Sequence, residues 1–350
     1  MTCLPYGGHG VSWPPSFGRR LRLRDHRRRN IVLAIAVVSL AALVFLTTRG
    51  TPPPVASPPG TFSFAVLGDA PYYGWEETQY GHLLPWMDAS DVAFVIHVGD
   101  IFWHPCSDDH YRQILGWLDG LHHPVVYTPG DNEWADCWER GSGAFAPLER
   151  LDAIRRIFFG DPARSLGATP MPLESQGGRE PFAEFVENAR WTYRGLVFVT
   201  VDMPGSRNAR APFPKRTAAD DEASKRRTDA AAAWVRATFE RARSAAAPAV
   251  VIAFHANAGL EEPAADSYRQ AFEPFLSALA EEAARFEGQV LIVHGDGHEY
   301  LVDHPLPLAN VTRMQVPGSP RVGWVSVNVT PGPRPSFAFE EHVIPRWKYW

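Results

Sequence analysis

Beyond residue 60 the chain repeats one pattern: a short, nearly continuous apolar run, a loop, then polar residues carrying apolar positions at helical spacing. The apolar runs fall at 62–67, 92–98, 125–128, 250–254 and 290–293. Such runs, each closed by Gly, Pro or His, predict strands covered on both faces. Between them, Trp234, Val235, Thr238, Phe239 and Ala242 share one helical stripe, and Tyr268, Phe272, Phe275, Leu279, Ala283 and Phe286 share another. Strand alternating with helix predicts an α/β fold whose sheet is rich in parallel pairs. The stretches 189–203, 311–316 and 321–329 are strand-like with turn signals nearby. The last two follow one another with no room for a helix, which predicts antiparallel pairing. Residues 61–350 read as one layered α/β domain containing two sheets.

The first sixty residues are different. Residues 31–46 contain no charge and only Ser39 as a polar residue, and Thr47-Thr48-Arg49 closes the run. This predicts a transmembrane helix over 31–48, near the short end of what spans a bilayer core, with a buried core helix as the alternative. The basic segment 1–30 holds seven arginines against one acid, Asp25. Lys/Arg-rich flanks stay in the cytoplasm, so the N-terminus is expected there and everything after residue 50 outside it. A cleaved signal peptide is the rival reading, although a 30-residue basic region is long for one. Arg19-Arg20 fits a twin-arginine export signal poorly. Residues 49–60, Arg-Gly-Thr-Pro-Pro-Pro-Val-Ala-Ser-Pro-Pro-Gly, are too proline-rich for helix or central strand and read as a stiff linker.

Composition narrows the classes. With 45% hydrophobic and 21% charged residues the chain is neither disordered nor fibrous. Subtracting the first thirty residues from the totals of 34 basic and 39 acidic leaves 27 and 38, a charge of −11. An acidic body argues against a nucleic-acid-binding surface, which needs positive charge to displace phosphate counterions. Of the three cysteines, Cys3 lies on the expected cytoplasmic side and Cys106 and Cys137 on the other. In an oxidising compartment those two form a disulfide, or else remain two buried thiols.

The chemistry sits at the strand ends. They read Leu67-Gly68-Asp69-Ala70-Pro71, Val98-Gly99-Asp100, Pro129-Gly130-Asp131-Asn132-Glu133, Phe254-His255 and His294-Gly295-Asp296-Gly297-His298. Carboxyl ends of strands in an open α/β sheet converge on one edge, so these residues are expected to be neighbours. Carboxylates with imidazoles suit Mn, Fe, Zn or similar ions, and several aspartates together would repel one another without a cation. One Gly-Asp pair is also a common turn; three at successive strand ends are much more specific.

In order and spacing these motifs resemble the five metal-site blocks of the calcineurin-like metallophosphoesterases, over roughly residues 62 to 345. They are closest to a bacterial branch with blocks like Gly68 to Tyr72, Tyr127 to Trp134 and His294 to His298, and Glu187-Asn188-Ala189-Arg190-Trp191 also resembles that branch. The resemblance implies a layered αββα double sheet, two divalent metal ions (Mn, Fe or Zn) and hydrolysis of a phosphate-ester substrate by a metal-bound hydroxide. Carried over, Asp69 and His298 would bind the first metal, Asp100 would bridge, and Asp131, His255 and Asp296 would bind the second. Asn132 is the alternative ligand to Asp131. Three positions depart from the pattern: Pro71 stands where many members have a ligating histidine, Asp296 where the first histidine of Gly-His-x-His is usual, and Asp131-Asn132 where Asn-His is usual.

An amide has no proton to give at neutral pH, so Asn132 can orient a phosphate but cannot protonate a leaving group. His104, then His110, are the candidate acids. His97 reads as a hydrogen-bonded core histidine and His294 as structural. The aromatic residues Tyr72, Tyr73, Trp75 and Trp103 either wall a cleft or pack in the core. The expected function is a membrane-anchored, extracytoplasmic, metal-dependent phosphoesterase. The alternative is a non-catalytic binding or scaffold module with a degenerate metal centre.

Overall fold

The computed structural model describes residues 60–345. The strand-helix alternation is realised as β1 (Phe62–Leu67), α1 (Gly74–Asp88), β2 (Val95–His97), α2 (Asp108–Asp119), β3 (Val125–Tyr127) and α3 (Pro147–Phe158), with the three strands paired in parallel. A second sheet opens with the two-residue β4 (Glu174–Ser175) and the hairpin β5 (Ala189–Tyr193) and β6 (Leu196–Thr200). The 27-residue α4 (Ala218–Ser244) leads to β7 (Ala249–Ala253), and α5 (Phe275–Arg285) to β8 (Gln289–His294). β9 (Leu301–Asp303) and β10 (Val311–Gln315) complete that sheet, after which β11 (Gly323–Thr330) and β12 (Ser336–Val343) return to the first. The strand orders are β12-β11-β1-β2-β3 and β4-β5-β6-β7-β8-β10-β9.

Side-chain alternation explains why two sheets stack between helices. Along β1, Phe62, Phe64 and Val66 face the other sheet and meet Phe198, Val251, Leu291 and Met314. Ala65 and Leu67 face outward, onto Leu83 and Met87 of α1, Ile114 of α2 and Ile154 of α3. The second sheet divides likewise, with Val250, Ile252 and Ile292 covered by Trp234 and Phe239 of α4 and Leu279 of α5. The strands β1, β3, β7 and β8 are therefore largely apolar on both faces, which is the origin of the continuous apolar runs. The result is the expected order of helices, sheet, sheet, helices.

The stripe from Tyr268 to Phe286 forms a short 3₁₀ turn, Arg269–Phe272, and then α5, because Pro274 disfavours helical geometry at Glu273. Thr217 and Asp220 start α4 with a reciprocal capping box.

One pairing differs from expectation. Residues 311–316 and 321–329 do not pair with each other: β10 lies parallel to β8 in the second sheet, whereas β11 pairs antiparallel with β1 and β12 in the first. The short segment between them passes from one layer to the other instead of making a hairpin. Apolar residues of both strands still share the core between the sheets, Met314 from one side and Val325 and Val327 from the other.

Residues 31–48 lie outside the described residues, as do residues 1–30 and most of the proline-rich linker. No helix among the described residues is long and apolar enough to cross a membrane.

Phe64 stacks on Phe94 at 5.3 Å and meets Phe198 edge-on at 5.4 Å, fully buried between the sheets. Phe64→Ala should cost about 3 to 5 kcal/mol, read as a lower urea midpoint at unchanged slope. A loss below about 1 kcal/mol would contradict the packing described.

Candidate metal centre

The parallel strands of both sheets end at one edge, and their ends lock together there. His255, just past β7, places its Nδ1 2.8 Å from the Val98 carbonyl of the other sheet, and the Asp296 N–H donates to Asp69 at 3.0 Å. The sharp turns that follow the strands put Asp69, Asp100, Asp296 and His298 in the left-handed region, at φ 55°, 52°, 69° and 60°. Non-glycine residues there are strained by roughly 1 to 3 kcal/mol each, and such strain gathers at functional sites. Gly99, at φ +95°, is required outright, since a Cβ would lie 2.7 Å from the Gly130 Cα.

Two groups of donors result. Asp69, Asp100 and His255 offer ligand atoms within 4.8 Å of one another, and so do Asp131, His255 and Asp296. The Nε2 of His255 is 2.9 Å from Asp131 Oδ1 and 3.3 Å from Asp100 Oδ1. Its Nδ1–H is committed to a carbonyl, which turns Nε2 toward the carboxylates, the orientation a metal-binding histidine needs. His298 is held the same way: Nδ1 is 2.8 Å from the Ser319 carbonyl, and Nε2 is 3.2 Å from the Tyr72 hydroxyl. His298 belongs to neither group but adjoins Asp100 through Tyr72, whose hydroxyl donates to Asp100 Oδ2.

Asn132 touches the centre through its backbone, donating N–H to Asp100 Oδ1 at 3.1 Å, while Asp131 supplies the side chain facing His255. His104 is exposed and stands edge-on to Trp103. His110 stacks on Phe102 at 4.2 Å and has its Nδ1 3.0 Å from the Pro105 carbonyl, on the starting turn of α2. Cys106 and Cys137 are joined by a disulfide, with Cα atoms 5.8 Å apart, so the loops after Asp100 and Asp131 are covalently tied. His97 is buried and neutral, accepting from Gly99 N–H and paired with the Tyr80 hydroxyl.

The electrostatics follow from burial. Asp69 is pushed up to about 7, first by loss of water and further by Asp296 and Asp131, against the opposing pull of His255. Asp100 is held well above the carboxylate range, chiefly by burial. Asp296 rises to about 6 from burial and from the charge of Asp131. Asp131 is also desolvated, yet the hydrogen bond and charge of His255 hold it below the usual value. Burial opposes charging of His255, but Asp100, Asp131 and Asp69 raise it well above the ordinary imidazole value. Three buried carboxylates and the half-buried Asp296 facing one imidazole form a mixed oxygen and nitrogen donor set with excess negative charge, which fits divalent cations.

Three contributors were not legible in the sequence. Glu133 is fully buried and its Oε1 accepts from Gly130 N–H at 2.7 Å, the Tyr127 hydroxyl at 2.8 Å and Asp100 N–H at 3.2 Å, pinning two ligand turns together. Tyr72 looks like a cleft aromatic until its hydroxyl is seen on Asp100. Gly205 begins a left-handed turn in which Ser206, Arg207, Asn208 and Ala209 all have positive φ, and a Cβ on it would lie 2.6 Å from Asp296 Oδ1 and 2.8 Å from both Asp131 carboxylate oxygens. Asn208 holds that turn, bonding Thr228 at 2.8 Å and the Ala271 carbonyl at 2.9 Å and accepting from Arg227 at 3.2 Å. No local motif announces a backbone packed against carboxylates from two other strands.

Gly205→Ala should therefore weaken metal binding by about tenfold or more by displacing Asp131 and Asp296, and calorimetric titration with Mn²⁺ checks this. An unchanged affinity would show that the contact is slack.

Asp69, Asp100, Asp296 and His255 all hold protons more tightly in the folded chain than in the unfolded one. Metal-free protein should then lose stability as pH rises from about 4 through 7, with Asp131 acting oppositely below about 4 and the buried neutral imidazoles of His97 and His294, fewer than the carboxylates, acting oppositely up to about 6.5. Melting curves at pH 5 and pH 8 with chelator should show the lower midpoint at pH 8, and added Mn²⁺ should raise the pH 8 midpoint more, because ligands must be deprotonated to bind. A higher chelated midpoint at pH 8 would contradict this electrostatic reading.

No family model and no curated protein matches the chain. Among solved structures it is similar to a dimetal phosphatase from Danio rerio, at 12% identity and a TM-score of 0.43, over 81% of this chain and 98% of that one. It is also similar to a phosphopantetheinyl hydrolase from Mycobacterium tuberculosis, at 14% identity and a TM-score of 0.37, over 73% and 89% of the two chains. A third is a 5'-nucleotidase from Candida albicans, at 11% identity and a TM-score of 0.37, covering 79% of this chain and 51% of that one.

Proposed function

We propose that the chain is a metal-dependent phosphoesterase of the calcineurin-like type, tethered to a membrane by residues 31–48 with residues 61–350 outside the cytoplasm. One observation carries the catalytic reading: Asp69, Asp100, Asp131, His255 and Asp296 come from five strand ends of two sheets and meet within metal-ligating distance of their group partners. The order of the five motifs supports the same reading. Two divalent ions bound there would supply Lewis acidity, offsetting charge on phosphoryl oxygens and lowering the pKa of water.

The chain's own groups have distinct tasks. Asp100 is the bridging carboxylate of this reading, because Oδ1 approaches His255 while Oδ2 is turned toward Tyr72 and His298. Asp131 and Asp296 complete one end, Asp69 and His298 the other. Asn132 orients through its backbone N–H and amide and gives no proton. For the topology, support comes from the arginines before residue 31, the apolar run after them, and a disulfide suited to an oxidising compartment.

Asp100→Ala should remove both metals and all phosphoesterase activity, whereas Asp69→Ala should leave one metal, as read by elemental analysis of chelator-washed, Mn²⁺-reloaded protein. Full metal content in Asp100→Ala beside loss in Asp69→Ala and His255→Ala would refute the bridging assignment. Protein that takes up metal but hydrolyses no phosphate ester would favour the scaffold alternative.

A periplasmic alkaline-phosphatase reporter fused after residue 60 should be active. An inactive fusion, with a cytoplasmic reporter working at the same site, would reverse the topology.

A further inference from the structure

Large apolar side chains left exposed are few among the described residues, and two of them are neighbours beside the metal centre. Tyr73 is 47% and Trp103 41% exposed. Their rings lie 6.2 Å apart, and Trp75 runs parallel to Tyr73 at the same separation. Trp103 stands edge-on to Tyr72 at 5.5 Å, and the Tyr72 hydroxyl donates to Asp100. The four rings make a ledge that begins at the bridging carboxylate and runs out to solvent. Packing explains the buried Tyr72; it does not explain planes left nearly half open to water.

The ledge is also held in place. Phe102, the residue before Trp103, is buried under the first sheet's helices, and Cys106, three residues after it, is bonded to Cys137. A fixed aromatic plane beside a phosphoryl site complements a second aromatic plane, by stacking or edge-to-face contact. Chemistry at the centre points the same way. Asn132 meets the centre through its backbone N–H and its amide has no proton to give, and His104, edge-on to Trp103, lies out in solvent, so alcohols that leave well unaided are favoured.

We propose that the ledge of Tyr73 and Trp103 is the leaving-group subsite and that the substrate is a phosphate ester of a planar aromatic alcohol, aryl or heteroaryl. The proposal rests on the phosphoesterase reading above. In the reaction a water oxygen bonds to phosphorus, with one of its protons released to solvent, as the bond from phosphorus to the aryl oxygen breaks. The aryl oxide leaves with that electron pair and takes its proton from solvent.

Non-hydrolysable probes separate stacking from leaving-group chemistry. Calorimetric titration of the Mn²⁺-loaded full-length chain should show phenylphosphonate binding about tenfold tighter than methylphosphonate. The gap should close in Trp103→Ala, shrink in Tyr73→Ala and persist in Trp103→Phe, with melting midpoints only slightly lowered because both side chains are partly exposed. Equal affinity for the two phosphonates in the unaltered chain, or a gap that survives both alanine substitutions, would overturn the subsite and leave the phosphoesterase reading standing. Binding of neither phosphonate by metal-loaded protein would overturn that reading and the subsite with it.

Discussion

Charge crowding at one sheet edge is the constraint around which the rest is organised. Asp69, Asp100, Asp131 and Asp296 are brought against a single imidazole, with water largely excluded. Two like charges about 4 Å apart repel by about 4 kcal/mol at an effective dielectric constant near 20. A fold that only had to be stable would not assemble them. Divalent cations would turn the same arrangement from a liability into a binding site.

The surrounding structure holds the carboxylates together against that repulsion. The double sheet supplies the scaffold, since parallel strands of both layers end at the same edge and the layers are locked there by His255 on Val98 and Asp296 on Asp69. Glu133 fixes the turns at Gly130 and Asp100, and the Cys106–Cys137 bond ties the loops that follow them. The left-handed turn from Gly205 closes the remaining side and is itself held by the buried side chain of Asn208. Strain in the turns at Asp69, Asp100, Asp296 and His298 is sustained by the large apolar core between the sheets.

Much of this was legible in the sequence, for physical reasons that also mark where legibility stops. Continuous apolar runs located β1, β3, β7 and β8 to within a residue or two, because strands covered on both faces have no polar side to blur the signal. The strand ends announced the residues that meet at the sheet edge, because Gly-Asp turns are local chemistry. β4, β9 and β12 escaped notice, being very short or, in β12, alternately exposed with polar residues. The transfer from β10 to β11 across the layers was not legible, since a connection of few residues looks the same whichever sheet receives it. Gly205, Glu133 and the hydroxyl of Tyr72 are contributions of tertiary placement. Each acts on residues tens of positions away or more, or through a single atom, and sequence pattern carries neither kind of information.

The central claim is that these carboxylates exist to hold a pair of cations bridged by Asp100. Anomalous diffraction from crystals soaked in Mn²⁺ tests it most directly, because it locates ions without reference to activity. The account predicts two peaks about 3.5 to 4 Å apart on either side of the Asp100 carboxylate, one toward Asp69 and His298 and the other toward Asp131, His255 and Asp296. A single peak that Asp100 does not touch, or no peak at this edge at saturating Mn²⁺, would contradict it.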